Sequence, residues 1–351
     1  MKRYLDNGGT ELKKWELPEL PILDNKLNLD AGTVKSMLER MLLIRETEQR
    51  IAERVTEKRI HTPCHLYIGQ EADAVGVCFA LKNTDFVFST HRSHGHFLAK
   101  GGNIDELFAE IYCRETGCSG GRGGSMHLCD PSIGLLGSSS IVAGCLGIGL
   151  GPAIRSKIMH EDHVSVIFHG DCVPEEGIWH ESLNFAAVKK LPVIYVCENN
   201  LYAASAPLAD RRLNNNIFEV AMAHGLSSEI VDGNDVFAVH EAATKAVNRA
   251  RSGGGPQYIE TRTYRWLGHV GPRDDIDVGL RNIDELNFWK KRCPVENLKN
   301  HLLVEGTLSE EEYCAMKSRV LTRIDEAEKK ALSASKPSGK TLMNNIYSRE
   351  V

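Results

Sequence analysis

The sequence predicts an α/β fold with a mainly parallel sheet flanked by helices, and one unit of the chain carries that prediction. Residues 164–168 (Val-Ser-Val-Ile-Phe) and 192–197 (Pro-Val-Ile-Tyr-Val-Cys) are short apolar runs rich in β-branched residues, which is typical of buried parallel strands. Between them, residues 176–190 have helical spacing, with acidic residues at the start and lysines at the end. A strand, a helix and a strand with short connections form a βαβ unit, so we expect the two strands to be parallel.

Apolar periodicity predicts further elements on both sides of this unit. Helices are expected at 33–59 and 239–251 and from a cap at Ser309 towards Ala331; a strand is expected at 258–264, and a turn at 231–235 after another short strand. Glycine density at 119–125 and small residues at 137–144 indicate loops, the second leading into a closely packed helix. We expect an arm over residues 1–30 that lies on the surface or on a partner, one domain over residues 31–335, and a tail over residues 336–351.

Composition excludes several classes of function. The 351 residues carry a formal net charge of −5, which argues against a general nucleic-acid binder. No apolar run is long enough to span a bilayer, and no apolar stretch follows the basic pair at the N-terminus, so we expect a cytoplasmic protein without a secretory signal. A zinc cluster could be drawn from Cys113, Cys118, His127 and Cys129, but no CxxC pair is present and the intervening glycines favour a loop with another purpose.

The βαβ unit places polar residues directly after both strands. Gly170 and Asp171 follow the first strand, and Glu198, Asn199 and Asn200 follow the second. The carboxyl ends of parallel strands meet at one edge of a sheet, so Asp171 and Asn200 are expected to be neighbours. A carboxylate and an amide oxygen are ligands for Mg²⁺, and the N-terminus of the intervening helix favours a diphosphate. The alternative is an ordinary turn followed by an ordinary loop.

This arrangement resembles the thiamin-diphosphate signature, in which Gly-Asp-Gly is followed further along the chain by Asn-Asn; Cys172 stands in place of the last glycine of the triplet. The resemblance extends over residues 35–335, which look like the alpha subunit of the two-chain decarboxylating component of pyruvate, branched-chain 2-oxo acid and acetoin dehydrogenases. The matching segments are residues 65–71 (His-Leu-Tyr-Ile-Gly-Gln-Glu), 90–96 (Thr-His-Arg-Ser-His-Gly-His), 120–127 (Gly-Gly-Arg-Gly-Gly-Ser-Met-His), 198–202 (Glu-Asn-Asn-Leu-Tyr) and 264–269 (Tyr-Arg-Trp-Leu-Gly-His).

The resemblance implies a three-layer thiamin-diphosphate-binding fold with Mg²⁺. Its metal ligands would be the side chains of Asp171 and Asn200 and the backbone carbonyl of Tyr202. Arg92 matches the arginine that pairs with the diphosphate, since a fork of fixed donors suits phosphate. His91 stands where many members have a tyrosine that also touches the diphosphate.

The remaining positions of the implied site lie around the rest of the cofactor. Gly170 and Cys172 flank the aspartate, and Ser140 and Val142 match backbone groups that hold the aminopyrimidine ring. His94 and His269 match histidines beside the cofactor and are the candidate catalytic residues, with His269 on a loop near the diphosphate. The glycine-rich segment 120–127 is expected near the entrance and receives no catalytic residue.

The function implied by the resemblance is that of a dehydrogenase alpha subunit acting on acetoin or on a 2-oxo acid such as pyruvate. The acyl unit would pass to a lipoyl arm on an acyltransferase component. A glutamate that protonates the cofactor ring would come from a beta subunit, so we expect two alpha and two beta chains and no activity from alpha alone. The segments at 90–101, 176–184 and 264–269 look closest to acetoin-type members. Val270 stands where animal pyruvate enzymes have a regulatory serine, and valine has no hydroxyl to phosphorylate.

Two other classes of function remain open. The chain could be an inactive cofactor-binding or scaffolding paralogue, for which Cys172, Ser140 and His91 are the best support. It could also be a nicotinamide-dependent dehydrogenase, because residues 144–151 are rich in glycine. That segment does not fit GxGxxG, and no acidic residue follows at the expected strand end, which disfavours this second alternative.

Overall fold

The computed structural model describes residues 20–341 and residue 344. Most of the predicted arm and most of the predicted tail therefore lie outside the described residues. The helices are α1 (Ala31–Thr56), α2 (Glu71–Cys78), α3 (Ser93–Ala99), α4 (Ile104–Ile111), α5 (Leu146–Met159), α6 (Gly177–Lys189), α7 (Leu208–Arg211), α8 (Ile217–Ala223), α9 (Val236–Arg251), α10 (Ile283–Lys291), α11 (Pro294–Val304) and α12 (Glu310–Ser333). The strands are β1 (Phe86–Ser89), β2 (Leu135–Ser138), β3 (Ser165–Gly170), β4 (Val193–Asn199), β5 (Tyr202–Ala203), β6 (Ala206–Pro207), β7 (Ser227–Asp232) and β8 (Gln257–Arg262).

A parallel sheet forms the centre of the described part of the chain. Its six strands follow the order β2-β1-β3-β4-β8-β7, and every neighbouring pair is parallel. The strands β3 and β4 are joined through α6, which confirms the predicted βαβ unit. Their register pairs Gly170 with Glu198, so both strands end at the same edge of the sheet.

Helices cover both faces of this sheet and make three layers. Along β3, Val166 and Phe168 pack into a core with α1, α2, α9 and α12, whereas Ile167 packs into a second core with α5 and α6. Strand side chains alternate between the two faces, so a strand buried on both sides reads as a continuous apolar run. This burial accounts for the two runs that predicted the fold.

Most of the predicted elements are confirmed within a few residues of their expected bounds. The predicted cap at Ser309 is a capping box, in which Ser309 Oγ accepts a hydrogen bond from Glu312 N at 3.1 Å and Glu312 Oε2 accepts one from Ser309 N at 3.0 Å. The strands β1 and β2 were not predicted, because each has only four residues. None of the described helices has the length and apolarity needed to cross a bilayer.

The glycine-rich segment wraps around a buried carboxylate. Glu110, on α4, is fully buried, and its two oxygens accept four backbone N–H groups. The donors are Ser119 at 2.8 Å, Gly121 at 2.9 Å, Gly123 at 2.7 Å and Gly124 at 3.1 Å. Positive φ angles at Gly121 and Gly124 turn these N–H groups inwards, which explains the glycine density.

Candidate cofactor site

The carboxyl edge of the sheet brings together the two segments that the sequence singled out. Asp171 directly follows the end of β3, and Asn200 follows the end of β4, where Gly170 and Glu198 are paired. Asp171 is 2% exposed and Asn200 is 7% exposed. Two buried oxygen-bearing side chains therefore lie at the tips of adjacent strands, where open α/β sheets bind ligands.

Asp171 has a cationic partner that the sequence did not reveal. Arg211, at the end of α7, donates hydrogen bonds to the carboxylates of Asp171 and Glu175. Burial raises the pKa of Asp171, and the nearby Arg211 acts in the opposite direction. The buried carboxylate thus occupies a position where a positive charge stabilises it.

The amide of Asn200 is oriented by a neighbouring glutamine. Asn200 Nδ2 donates a hydrogen bond of 2.9 Å to Oε1 of the fully buried Gln70. This leaves Asn200 Oδ1 on the other side, where it accepts a long hydrogen bond of 3.4 Å from Tyr202 N. The Tyr202 hydroxyl donates to Glu285 Oε2 at 2.6 Å, so its side chain is held by α10. Gln70 at the start of α2 thus orients Asn200, and Glu285 on α10 holds Tyr202.

Three histidines from separate segments converge beside a buried arginine. The ring centroids of His65, His91 and His269 lie 4.6–5.3 Å apart. Arg92 Nη2 donates to His269 O at 3.0 Å and lies 3.3 Å from His269 Nδ1, and its Nη1 donates to Leu66 O at 3.0 Å. We call His65, His91 and His269 the histidine cluster.

The electrostatics of this region favour an anion. Burial lowers the pKa of Arg92, and the neighbouring Arg265 lowers it further. Burial also lowers the pKa values of His65, His91 and His269 to about 3, 2 and 4, with Arg92 as the next cause in each case. Arg92 and Arg265 are therefore two buried cations whose charges act on one another, and an anionic ligand placed beside them would be stabilised.

A narrow cleft extends from the strand ends to the small-residue loop. Its lining includes residues 89–91, residues 139 and 141–146, and residues 167–170 and 172–173, so the predicted His91, Val142, Gly170 and Cys172 all belong to it. Val142 is 45% exposed at its rim, beside Ser140. A Cβ added at Gly170 would meet no atom within 4 Å, so free space adjoins the backbone there.

The structure separates His94 and His96 from the histidine cluster. His94 is fully buried, with Nδ1 3.1 Å from the Glu48 carboxylate and Nε2 2.8 Å from Ser125 Oγ. His96 lies 2.7 Å from Ser89 Oγ and 3.0 Å from Glu198 Oε1. Both rings are bonded on both nitrogens within the chain. A catalytic role for His94 stays a prediction, and its contacts are those of a residue that positions its neighbours.

Several residues of the site had no role in the sequence-based account. His65 and Gln70 belong to the segment 65–71, whose similarity to the family is a signal that could have found them. Arg211 gave no such signal, because its contact with Asp171 spans 40 positions and lies in an ordinary charged segment. Glu48 likewise gave no signal, because it lies on α1, 46 positions before His94.

Comparison with known proteins identifies the family. A sequence model described as "Dehydrogenase E1 component" matches residues 39–340. The alpha subunit of acetoin:2,6-dichlorophenolindophenol oxidoreductase from Bacillus subtilis (strain 168) is 37% identical over 315 residues, which are 89% of this chain and 92% of that protein. The alpha subunit of the pyruvate dehydrogenase E1 component from Porphyra purpurea is 36% identical over 339 residues, which are 94% and 97% of the two chains.

A further acetoin:2,6-dichlorophenolindophenol oxidoreductase alpha subunit, from Cupriavidus necator, is 34% identical over 321 residues, which are 92% of this chain and 96% of that protein. The family match covers most of the chain, and the relatives are covered almost end to end. The chain therefore belongs to the dehydrogenase E1 component family, which depends on thiamin diphosphate.

Proposed function

We propose that this chain is the alpha subunit of a thiamin-diphosphate- and Mg²⁺-dependent dehydrogenase that acts on acetoin or on a 2-oxo acid such as pyruvate. The acyl unit would pass to a lipoyl carrier on an acyltransferase component. The observation that carries the proposal is the placement of the buried Asp171 and Asn200 at the ends of two adjacent parallel strands. The family membership and the names of the relatives support the same activity.

The residues at the sheet edge fit a magnesium ion. Asp171 offers a carboxylate oxygen, Asn200 an amide oxygen and Tyr202 a backbone carbonyl, and hard oxygen ligands are the ones that Mg²⁺ takes. The hydrogen bond from Asn200 Nδ2 to Gln70 supports this assignment, since it fixes the amide so that Oδ1, which accepts one long hydrogen bond of 3.4 Å from Tyr202 N, keeps a second lone pair for a metal. The buried carboxylate of Asp171 also fits, because Arg211 engages one of its oxygens and the other could bind a metal.

The neighbouring cationic region fits a diphosphate. Arg92 would pair with phosphate oxygens, and the histidine cluster would donate hydrogen bonds to them from rings that are neutral at pH 7. The loop carrying Ser140 and Val142 would hold the ring system in the cleft. When bound, the cofactor supplies the nucleophilic carbon for cleaving a bond beside a carbonyl; the chain's own part is to bind, orient and shield it.

A partner chain is supported by an apolar face beside this cleft. The exposed fractions are 70% for Ile141, 66% for Ile148, 41% for Ile178, 41% for Phe185 and 70% for Val188. These residues lie on the cleft loop, on α5 and on α6, which pack against each other. Exposed apolar side chains grouped on neighbouring elements are typical of a protein interface. We propose that a beta subunit covers it in an assembly of two alpha and two beta chains, and supplies the glutamate that protonates the cofactor ring.

Two kinds of sequence evidence favour acetoin among the candidate substrates. Segments 90–101, 176–184 and 264–269 favour acetoin, and two of the relatives are named for acetoin. Val270 has no hydroxyl, so phosphorylation at that position is ruled out by its chemistry. A cytoplasmic location stays a prediction. No observation in the described residues favours an inactive paralogue.

The proposal is tested by assaying the chain with and without its beta subunit. We expect the complex, supplied with Mg²⁺ and thiamin diphosphate, to reduce an artificial dye with acetoin or a 2-oxo acid. Assays with acetoin, pyruvate and branched 2-oxo acids would rank the substrates. The alpha chain alone should be inactive. Turnover by alpha alone would contradict the need for a beta subunit, and inactivity of the complex on every substrate would contradict the proposed activity.

A further inference from the structure

We propose that His65, His91 and His269 form a binding site for one transition-metal ion such as Zn²⁺, and that this ion and the cofactor's diphosphate exclude one another. The metal site stands on the histidine cluster alone. The mutual exclusion rests on the proposed function, because it requires the diphosphate to occupy the same histidines. The site is distinct from the magnesium position, which is made of oxygen ligands.

The geometry of the cluster suits a metal with nitrogen ligands. Each histidine offers one ring nitrogen, and these three atoms lie within 4.8 Å of one another. They come from separate segments, namely the chain before α2, the chain after β1 and the chain after β8. A set of three histidines with an open fourth position is a recurring Zn²⁺ site, and modest side-chain rotation brings such nitrogens to bonding distance.

The rings are ready to bind a metal without losing a proton. Burial, followed by the charge of Arg92, lowers the pKa of all three histidines to about 4 or below, so each ring is neutral at pH 7 and has one nitrogen lone pair. His65 is 9% exposed, and among the described residues its Nδ1 has no hydrogen-bond partner. A buried nitrogen left without a partner is a cost that a metal ion would remove.

Two arginines oppose a cation in this position. Arg92 and Arg265 both lower the pKa of His269, whereas Asp275, whose carboxylate accepts a hydrogen bond from His269 N at 3.3 Å, raises it. The contact of Arg92 with His269 Nδ1 is long, at 3.3 Å, and its bond to His269 O at 3.0 Å can persist when a metal takes a ring nitrogen. We therefore expect weaker binding than in a structural zinc site, and displacement of the ion by an anion that pairs with the arginines.

Cobalt(II) provides the probe, because its visible absorption is intense in four-coordinate sites and weak in six-coordinate ones. The full chain would be studied without a polyhistidine tag and in a His224→Gln background. This background removes the surface pair of His180 and His224, whose nitrogens lie 2.9 Å apart and could themselves bind cobalt. We expect one equivalent of Co²⁺ to produce an intense band that Zn²⁺ displaces.

Variants locate the ion. His91→Phe keeps a ring of similar size, and we expect it to weaken Co²⁺ binding by about tenfold or more, since changing even a residue that orients a metal ligand costs at least about that much. His65→Phe is the second variant, and a thermal melt would show that each is folded. The matched control is His61→Phe, which changes an exposed histidine nearby and should leave the band intact. Absence of an intense band, or a band that survives in both folded variants, would overturn the metal site.

Addition of Mg²⁺ and thiamin diphosphate tests the exclusion. We expect the Co²⁺ band to fade as the cofactor fills its site. A band that persists while calorimetry shows the cofactor bound would overturn the exclusion. A third outcome is that the band persists and calorimetry shows no cofactor binding, even without cobalt and with the beta chain present. In that case the proposed function fails and the metal site stands, so the two failures can be told apart.

Discussion

Arg211 donates a hydrogen bond to the carboxylate of Asp171, and the same guanidinium reaches Glu175. The Arg211 side chain is 12% exposed and the Asp171 side chain 2% exposed, so the pair is largely withdrawn from water. One carboxylate oxygen of Asp171 is thus engaged by a cation of the chain itself. A metal ion bound to the other oxygen would lie close to that guanidinium and be repelled by it.

Removing this cation should tighten Mg²⁺ binding. We expect Arg211→Gln to lower the Mg²⁺ concentration needed for cofactor binding at pH 8 by about tenfold, because one repulsive charge is lost from a partly buried site. Titration of Mg²⁺ at fixed thiamin diphosphate measures the change. Arg212→Gln is the matched control, since Arg212 lies beside it and its Nε donates a long hydrogen bond of 3.5 Å to Asn214 O. Weaker Mg²⁺ binding in Arg211→Gln would show instead that Arg211 holds Asp171 in position.

The orientation of Asn200 by Gln70 makes a second prediction. Gln70→Met fills a similar volume but removes the acceptor for Asn200 Nδ2, so the amide loses its fixed direction. We expect Mg²⁺ affinity to fall by about tenfold, the equivalent of one ordinary hydrogen bond. Circular dichroism would confirm the fold. An unchanged Mg²⁺ affinity in a folded Gln70→Met variant would contradict the assignment of Asn200 as a metal ligand oriented by Gln70.

The Glu110 carboxylate should hold the glycine-rich segment in its folded conformation. In the unmodified chain, backbone N–H groups donate to the Glu110 carboxylate; in Glu110→Gln, an amide N–H₂ would face some of these donors. We therefore expect a loss of about 3 kcal/mol in the free energy of unfolding. The exposed Arg122 should become a faster site of trypsin cleavage. Glu106→Gln on the same helix is the control. Equal cleavage rates in both variants would contradict this account of the loop.

Glu328 on α12 binds residues of α1 and the residue after α4, and we call this set of contacts the Glu328 clamp; it predicts a pH effect on stability. Glu328 accepts hydrogen bonds from Arg54 Nε at 2.6 Å, Tyr112 Oη at 2.7 Å and Arg50 Nη1 at 2.9 Å. Burial alone would raise the pKa of Glu328, but these partners hold it at about 2, below the ordinary value. Because the pKa of Glu328 is lowered by folding, its ionised carboxylate stabilises the folded chain at pH values above the ordinary pKa of a glutamate. This stabilisation is lost as the pH falls towards 2.

The corresponding measurement is urea unfolding of Glu328→Gln across pH. We expect a loss of about 2 kcal/mol at pH 7, reduced from the full pKa shift to allow for partial solvent screening. The difference from the unmodified chain should be constant down to pH 5 and should shrink between pH 4 and pH 3. The exposed Glu326→Gln on the same helix should change stability by less than about 0.5 kcal/mol. A difference that grows at low pH would contradict the clamp.

The parts of the fold that could be predicted are those with local signals. The strands β3 and β4 carry long apolar runs because both faces are buried, and α12 carries its capping box within four residues. The strands β1 and β2 are too short for a periodic pattern, and β2 contains Gly137. Their places in the sheet depend on pairing with strands far along the chain, which no local pattern encodes.

The candidate site likewise has residues that local sequence could place and residues that it could not. Asp171 and Asn200 could be placed together because strand order and direction alone bring them to one edge. His91, His94 and His96 are close in sequence, yet α3 begins at Ser93, so the first remains in the cleft while the other two turn into the core. The contacts of Asp171 with Arg211 and of Glu110 with the glycine-rich segment depend on tertiary packing, which spacing does not reveal.

In the proposed site, Asp171 holds the metal that anchors the cofactor. Calorimetric titration of thiamin diphosphate into the complex of alpha and beta chains, with and without Mg²⁺, tests it most directly in Asp171→Asn, with the exposed Asp210→Asn as control. We expect Mg²⁺-dependent binding in the unmodified complex and in Asp210→Asn, and none in a folded Asp171→Asn variant. Binding of unchanged strength and unchanged Mg²⁺ dependence in Asp171→Asn would contradict the account.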